Sequence, residues 1–491
     1  MEINAMLQEN RRSSRDKSTV LAASLVGLVI FVGCTVGPNY KRPAVDVPAG
    51  FRAPAADTAN VASGVAAAAG APNPAASLGD EKWWEVFQDK ELQDLIRTAL
   101  KNNYDVRIAA TRVLEAQAQL GITRADQLPS ANLGGSILSE RTPRTGAIPP
   151  FQTSLGQLTA SASWTLDFWG QFRRATEAAR ANLLASEWAQ KAVISSLVAN
   201  VAGSYFTLRQ LDLQLEISRR TLTSRQDSLQ LTQTLEEHGF NTLLDVRQAQ
   251  QLVYTAAATI PDLERQITQQ ENAISILLGN NPGDVPRGLK LTEEPHAPEV
   301  PVGLPSALLE RRPDVLAAEQ NLVAANARIG VARAAYFPQI SLTGSGGFAS
   351  STLTQLFTGP ATWNLAGSLT QPIFQGGRLK SNVRLAEAQH EQLLLTYQQT
   401  IQGAFRDVSN ALVAYRKNRE FRIQQEHLVE SAQDAARLSA VRFQAGSTDY
   451  LEVLTNDTNA FSAELTLAQA QGNELTALVQ LYQSLGGGWQ E

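Results

Sequence analysis

Few residues of this chain have the type and spacing that covalent or metal chemistry requires. The four histidines are scattered without the spacing of metal ligands, and Met1 and Met6 are the only methionines. The sequence has no phosphate-binding glycine loop, no HExxH helix and no paired-histidine motif. A thioether or thiolate route for soft metals is therefore not expected in the body of the chain. We predict a protein that is not an enzyme and that uses no cofactor.

Cys34, the single cysteine, is the one residue with a defined covalent chemistry. A basic segment precedes the apolar run Val20–Val32, and the small residue Gly33 follows it. This order is typical of a secretory signal peptide, and the run is shorter than the roughly 20 residues of a membrane-spanning helix. Phe31-Val32-Gly33-Cys34 has the pattern of a lipobox, with Phe in place of the usual Leu. We predict a signal peptide over 1–33 and a lipid on Cys34. The alternative is a plain signal peptide with an incidental cysteine.

Charge and composition restrict the partners and the order of the chain that follows. A formal net charge of −5 leaves no electrostatic footprint for a nucleic acid. Residues 44–79 are rich in Ala, Pro and Gly and poor in charge and aromatic rings. Such a segment cannot bury enough apolar surface to offset its ordering entropy. We therefore predict a lipidated, extended tether over 34–79, with ordered structure beginning at Lys82.

The chain repeats a switch from helix to strand. The stretches 91–137 and 304–348 contain matching residues at a constant offset of 209, which brings Pro129 onto Pro338. In each copy a helical pattern stops before the proline and an alternating pattern begins. Such self-similarity is typical of a duplicated structural unit. We predict two repeats, 80–286 and 304–491, joined by a linker over 287–303.

Four segments of about ten residues alternate apolar and hydroxyl-bearing side chains, most clearly over 158–168. We predict two hairpins, 131–168 and 338–374. The pattern is typical of transmembrane β-barrel strands, although a half-buried soluble sheet has the same period. Four strands cannot close a barrel, and open edges would leave backbone groups unpaired in lipid. Either the strands lie outside the membrane, or several copies contribute to one barrel by rotational symmetry.

Two very long helical patterns follow the hairpins, over 171–237 and 378–445. A helix of this length extends roughly 100 Å and needs an apolar seam packed on a partner. Each pattern ends in a short turn and returns through a shorter helix, 243–278 or 450–485, and Pro261 is expected to kink the first. A glycine in each turn supplies the positive φ that follows a helix end. Without the strands, an ordinary cytoplasmic coiled coil would fit these helices equally well.

Several long motifs resemble the TolC-like outer-membrane efflux channels, in their lipoprotein branch (the OprM/NodT type of resistance-nodulation-division efflux systems). The resemblance covers about residues 34–491, with a departure at Gly170-Gln171-Phe172-Arg173, where the second repeat has the fuller Gln375-Gly376-Gly377-Arg378. The motifs are CTVGPNYKRP, WWEVFQDKELQDLIRTALKNN, LLERRPDVLAAEQNLVAANARIGVARAAYFPQISLTG, QPIFQGGRLKSNV and LGGGW.

This resemblance implies an α+β membrane protein that forms a homotrimer. Three chains would build a 12-stranded outer-membrane β-barrel, continued by a long periplasmic α-helical barrel. Such a channel works with a periplasmic adaptor and an inner-membrane efflux pump, contacts outer-membrane lipid, and passively conducts small molecules to the exterior. A conduit for protein secretion and a coiled-coil lipoprotein without a pore are the alternatives.

The resemblance also assigns roles to residues at and near the two turns. The turns would form the periplasmic tip that contacts the adaptor, and charged residues beside them would close a periplasmic gate. Asp227 and Asp434 align across the repeats about 18 Å before the tip, where acidic rings would favour cations. Solvated helix faces are an equally good interpretation of each charge taken singly. The expected tip residues are Gly239, Phe240, Asn241, Thr242, Gly446, Ser447, Thr448 and Asp449; the expected gate residues are Asp227, Asp434, Arg225, Arg437, Asp245 and Glu452.

Overall fold

The computed structural model describes residues 35–52, 77–143, 146, 149–295, 300–301, 303–358 and 361–490. The signal peptide predicted over 1–33 and the lipidation predicted at Cys34 lie outside the described residues, as does most of the predicted tether.

Nine α-helices and four β-strands occupy the described residues, and both halves of the chain have the same order of long elements. The helices are α1 (Trp83–Val86), α2 (Lys90–Asn102), α3 (Tyr104–Ala125), α4 (Gln171–Glu237), α5 (Leu243–Leu277), α6 (Pro305–Arg311), α7 (Pro313–Ala334), α8 (Arg378–Gln444) and α9 (Tyr450–Ser484). The strands are β1 (Ser130–Thr142), β2 (Phe151–Leu166), β3 (Gln339–Ser350) and β4 (Thr362–Thr370).

The helix bounds agree closely with those that the sequence predicts. The long helix α4 has the predicted limits, and α8 ends one residue before the predicted 445. Each has 67 residues, and each of the two return helices, α5 and α9, has 35. The return helix α5 continues through Pro261 without a break. None of the described helices combines the length and apolar character that a membrane crossing demands.

The four strands form one antiparallel sheet in the order β1-β2-β3-β4. The two predicted hairpins are joined by β2 and β3, where Leu158 pairs with Phe348 and Trp164 with Leu342. Within the part of the chain that the structure describes, β1 and β4 each have a neighbouring strand on one side only. The sheet of a single chain therefore leaves two backbone edges unpaired.

The chain divides into two compact units, and the first contains the sheet. This strand unit consists of Val113–Ala185, Ala318–Tyr397 and the described residues of 35–44. Its helices meet through small side chains: Ala178 and Ala181 of α4 pack against Ala324 and Ala327 of α7. Alanine at these positions lets two helix backbones approach closely.

Residues 35–43 are extended but firmly bound within the strand unit. The Val36 N–H donates to the Trp169 carbonyl at 3.0 Å, and the Asn326 side chain donates to the Pro38 carbonyl at 3.0 Å. Arg42 pairs with Glu319 at 2.9 Å. The described start of the predicted tether is therefore a strap that lies against α7.

The second unit contains both turns. This turn unit consists of Val45–Arg112, Ser186–Ala317 and Gln398–Glu491, with the gaps in the description given above. Its core includes fully buried Ile96, Tyr205 and Leu481, and Phe87 makes edge contacts with Phe206 and Tyr482.

Ordered packing begins before Lys82, so the predicted starting point is too late. Leu78 starts a short 3₁₀ helix, Leu78–Asp80, and its N–H donates to the Pro301 carbonyl at 2.8 Å. The Ser77 hydroxyl caps this turn by accepting from Gly79. The composition of the segment did not predict this early start, because one buried leucine and one capping serine are enough to stabilise a single turn.

Candidate functional site

The first turn, which connects α4 to α5, is closed by backbone hydrogen bonds and a capping box. Gly239 has a φ of 78°, as predicted, and the Phe240 N–H donates to the Leu235 carbonyl at 2.8 Å. Thr242 caps α5: its hydroxyl accepts from the Asp245 N–H, and the Asp245 carboxylate accepts from the Thr242 N–H at 2.8 Å. Phe240 is left 78% exposed.

The second turn, which connects α8 to α9, has the same spacing and an equivalent backbone hydrogen bond, but its side-chain hydrogen bonds differ. Gly446 has a φ of 67°, and the Ser447 N–H and hydroxyl both donate to the Arg442 carbonyl. Asp449 occupies the N-cap position, yet its side chain makes no capping bond. Glu452 instead accepts from the Thr448 hydroxyl and pairs with Arg442 at 2.7 Å.

The two turns thus differ in the hydrogen bonds that their side chains make. Asn241, beside Thr242, has a buried Nδ2 with no hydrogen-bond partner among the described residues. Apolar side chains are exposed at both turns, including Leu244 in the first turn of α5 and Leu451 in the first turn of α9. The predicted tip residues therefore form two hydrogen-bonded turns, and exposed apolar side chains lie at Phe240 and in the first turns of α5 and α9.

The two aligned aspartates of the predicted gate are both on exposed helix surface. Asp434 pairs with Arg437, three residues later, at 2.7 Å, and both side chains are more than half exposed. Asp227 is exposed and has no ion pair among the residues described. In one chain the structure therefore brings Asp434 and Arg437 together and leaves Asp227 separate.

Arg225, a further predicted gate residue, is buried inside the chain and held on several sides. Its Nε donates to Asp457 at 2.7 Å, and its Nη1 donates to the Leu252 carbonyl at 2.9 Å. The guanidinium group lies over the Phe461 ring, 4.8 Å from its centroid. Asp245 and Glu452 are likewise bound within their own turns. The side chains of these three residues thus have partners within the chain itself.

Sequence reasoning missed a polar connection between three helices of the turn unit. Glu464 on α9 is mostly buried and accepts from Arg220 on α4 and from Gln433 on α8. No motif or repeat marks Glu464, and its partners lie far away in the sequence. Its carboxylate joins the two long helices to one return helix.

A second group that sequence reasoning missed surrounds the buried carboxylate of Asp89. Asp89 accepts from the Tyr205 hydroxyl at 2.7 Å and from the backbone N–H groups of Glu91 and Leu289. Glu294 is also buried, and its Oε1 has no hydrogen-bond partner among the described residues. Burial, with repulsion from Asp89 as the second cause, raises the pKa of Glu294 to about 8.

Two described residues of the predicted linker therefore belong to the packed part of the turn unit, Leu289 through its backbone bond to Asp89 and Glu294 through its burial. Asp89 as a helix cap was readable from the sequence because Asp is favoured before a helix start. Its contact with Leu289 was not readable. No group of three or more His, Cys, Asp or Glu side chains suited to a metal ion is found among the described residues.

Comparisons with known proteins match most of the chain. The family model described as outer membrane efflux protein matches residues 95–280 and 304–487. The chain is 36% identical over 481 residues to the probable efflux pump outer membrane protein TtgC of Pseudomonas putida, covering 96% of each sequence. It is 35% identical over 462 residues to the cation efflux system protein CusC of Escherichia coli O6:H1, covering 94% of this chain and 96% of CusC.

A solved structure shows the same fold. The open state of the MtrE outer membrane channel of Neisseria gonorrhoeae matches with a TM-score of 0.81 and 31% identity, covering 93% of this chain and 99% of MtrE. The chain belongs to the outer membrane efflux protein family. It is an outer-membrane efflux channel with a part that extends into the periplasm.

Proposed function

We propose that three copies of this chain form one channel, with a 12-stranded barrel in the outer membrane and a helical barrel in the periplasm. The open-edged sheet is the observation that carries this proposal. Backbone groups at both edges need partners before the sheet can lie in lipid, and edge strands of neighbouring copies provide them. Exposed Leu133, Trp363 and Leu365 on the two edge strands supply apolar surface for such an environment.

The channel would passively conduct small molecules received from a periplasmic adaptor and an inner-membrane pump, without chemistry of its own. Single-channel recording of the purified protein in planar bilayers tests this function. We expect discrete conductance steps from a species of three chains. A folded protein that inserts but never conducts would favour the coiled-coil lipoprotein. Passage of an unfolded polypeptide at the rate of small solutes would favour protein secretion.

The lipid anchor at Cys34 is supported by the position of the residues that follow it. Thr35 contacts Gly170, and Val36 is hydrogen-bonded to Trp169, whose ring stacks on Phe337 at a centroid distance of 4.7 Å. These residues lie where β2 has ended and β3 begins. An acyl chain on Cys34 would therefore start beside the strand ends. Mass spectrometry of the N-terminal peptide tests this, with Cys34→Ser as control; an unmodified thiol would overturn it.

The two turns are the proposed adaptor contacts. Exposed Phe240, Leu244 and Leu451 support this because uncovered apolar side chains mark interaction surfaces. Phe240→Cys is a suitable cross-linking position, since it leaves the capping box of Thr242 and Asp245 intact. We expect an adduct with the adaptor of an active pump. We expect none from a cysteine at Tyr254, an exposed residue farther from the turn along α5. Equal yields at both positions would remove the turn as the specific contact.

The gate proposal concerns Asp227 and Asp434, the two aligned and exposed aspartates. In a trimer they would supply six carboxylates to one region of the periplasmic helices, which would favour cations. We expect the double variant Asp227→Asn with Asp434→Asn to lower cation selectivity in bilayers. Arg225→Lys is the control: it alters a nearby charged residue that is buried inside the chain, so it should leave the cation selectivity unchanged. Unchanged selectivity of the double variant would exclude these residues from the gate.

A further inference from the structure

An amphipathic groove lies between the end of α3 and the beginning of α4, wholly within the strand unit. Its volume is about 610 Å³, and its walls include Leu120, Leu183 and Leu184. The same walls carry two cationic side chains, Arg124 and Arg180, and no acidic residue. Apolar walls with two guanidinium groups provide the surface that an anion with an apolar tail requires.

Neither arginine has an anionic partner among the described residues. Arg124 and Arg180 are exposed, and neither guanidinium group has an ion pair or hydrogen bond with the residues that the structure describes. Glu177, the carboxylate nearest to Arg180 along the helix, is held by Arg174 at 2.8 Å. The two guanidinium groups therefore remain available to a ligand.

The corresponding place in the second half of the chain has a built-in anion. Arg124 and Arg333 are each the penultimate residue of a 22-residue helix, α3 or α7. Arg180 and Glu387 are each the tenth residue of a 67-residue helix, α4 or α8. Arg333 and Glu387 form an ion pair at 2.8 Å. The first half thus retains the arginine and replaces its acidic partner with a second cation.

The groove is close to the strand ends. Gln127, three residues after Arg124, bonds to Thr176 of α4 and accepts from the Trp164 indole through its carbonyl, at 3.0 Å. The turn that follows Arg124 is therefore bonded to a tryptophan on the apolar side of β2. Tryptophan is enriched at the membrane interface, where lipid phosphates lie.

A second copy of the chain is a poorer occupant. Arg124 and Leu120 face α4, whereas exposed Ile108 and Ile122 lie on roughly the opposite side of α3 at 100° per residue. The apolar surface suited to another copy is therefore turned away from the groove. The groove itself is formed by two helices of one chain.

We propose that this groove binds the phosphate of an anionic phospholipid from the periplasmic leaflet of the outer membrane. Arg124 and Arg180 hold the phosphate oxygens from two sides, and the leucines contact the start of the acyl chains. The inference rests on the proposed membrane position of the sheet.

Native mass spectrometry of the purified full-length channel, titrated with phosphatidylglycerol, tests the site. Arg180→Glu is the decisive variant, because a glutamate there can pair with Arg124 as Glu387 pairs with Arg333. It should therefore fold, and we expect it to bind phosphatidylglycerol about tenfold more weakly. Arg180→Lys should retain most of the binding. Glu387→Gln, which leaves the groove unchanged, should bind as the unaltered channel does.

Three results would overturn the proposal. Equal phosphatidylglycerol binding by Arg180→Glu would show that the groove is not the site. Displacement of the lipid by inorganic phosphate at equal concentration would indicate a free-anion site. If Arg180→Glu changed the oligomeric state but not the lipid binding, the partner of the two arginines would be a carboxylate of a neighbouring copy of the chain. Bilayer conductance of the same samples separates this outcome from failure of the channel function, since Arg180→Glu should still conduct.

Discussion

The buried charges of the turn unit and the exposed charges beside the turns differ in how many groups hold them. Asp89 has three donors, and Arg225 has a carboxylate, a carbonyl and an aromatic face. Among the described residues, the side chains of Asp434 and Arg437 have only each other as partners, and they are 57% and 64% exposed.

Charged residues of the same type that lie near one another in the sequence can therefore have different roles. A buried charge that loses its partners cannot turn to water, whereas an exposed one is rehydrated at once. Charges of the first kind should affect folding, and charges of the second kind should affect only what passes or binds. Replacing members of each group by the same residue measures this difference directly.

The largest effect is expected at Asp89. Asp89→Ala leaves the Tyr205 hydroxyl and two backbone N–H groups without their acceptor, so we expect unfolding to become easier by about 3 kcal/mol. Thermal unfolding followed by far-UV circular dichroism measures the change. Asp94→Ala is the matched control, because Asp94 is half exposed and pairs only with Arg97. A loss at Asp89 no larger than at Asp94 would contradict the role of burial.

Arg225→Ala should have the next largest effect. Removing the guanidinium group leaves Asp457 and the Leu252 carbonyl unpaired and opens a gap beside Phe461, at a cost of about 2 kcal/mol. Arg225→Lys should recover only part of this, since an ammonium group cannot bond to both acceptors in the same geometry. The unfolding midpoints of both variants test the prediction. If alanine were tolerated as well as lysine, the buried contacts would not matter.

The buried carboxyl group of Glu294 is expected to make the stability of the protein depend on pH. Its pKa is raised in the folded protein to about 8 from an ordinary value of 4.5. Between these values the unfolded chain releases this proton while the folded chain keeps it, so stability falls as pH rises. We expect a loss of about 2 kcal/mol between pH 5 and pH 8.

The variant Glu294→Gln tests the expected loss of stability between pH 5 and pH 8. Glutamine keeps the neutral shape of the protonated acid, so the variant should lose this contribution to the pH dependence and retain the others. The measurement compares the unfolding midpoints of both proteins at several pH values. Parallel curves for the two proteins would show that Glu294 is ionised in the folded state.

The two turns give a smaller contrast at equivalent cap positions. Thr242→Ala removes a capping bond and half of a capping box, at a cost of about 1 kcal/mol. Asp449→Ala removes no capping bond and should change stability by a few tenths of that. Protease cleavage at each turn reports on the local opening. Equal cleavage of both variants would mean that the hydrogen bonds of the two turns do not differ in solution.

Much of the fold was predictable because it is written in short-range patterns. A helix of 67 residues without proline and a glycine after it are local signals, and they predicted the limits of α4 and α5 within a residue or two. The strand period likewise located β2 and β3. The turn glycines needed no distant information, since positive φ follows from the helix end itself.

The rest depended on contacts between distant parts of the chain. The sequence offered Arg225 and Arg437 as equal gate candidates because both are arginines near a helix end. Only the position of Asp457, 232 residues away, separates them. The same holds for Asp89, whose contact with Leu289 spans 200 residues. Patterns with a period of two or four residues carry no information about such pairs.

The smallest effect should come from the exposed pair beside the second turn. Arg437→Ala breaks its ion pair with Asp434, but water replaces the contact, so we expect a change in stability of no more than about 0.5 kcal/mol. Arg225→Ala, measured under the same conditions, is the buried counterpart. Raised salt should reduce even this small difference, since exposed charges are screened. A loss at Arg437 as large as that at Arg225 would mean that its guanidinium group is buried in the assembled channel, against a neighbouring copy.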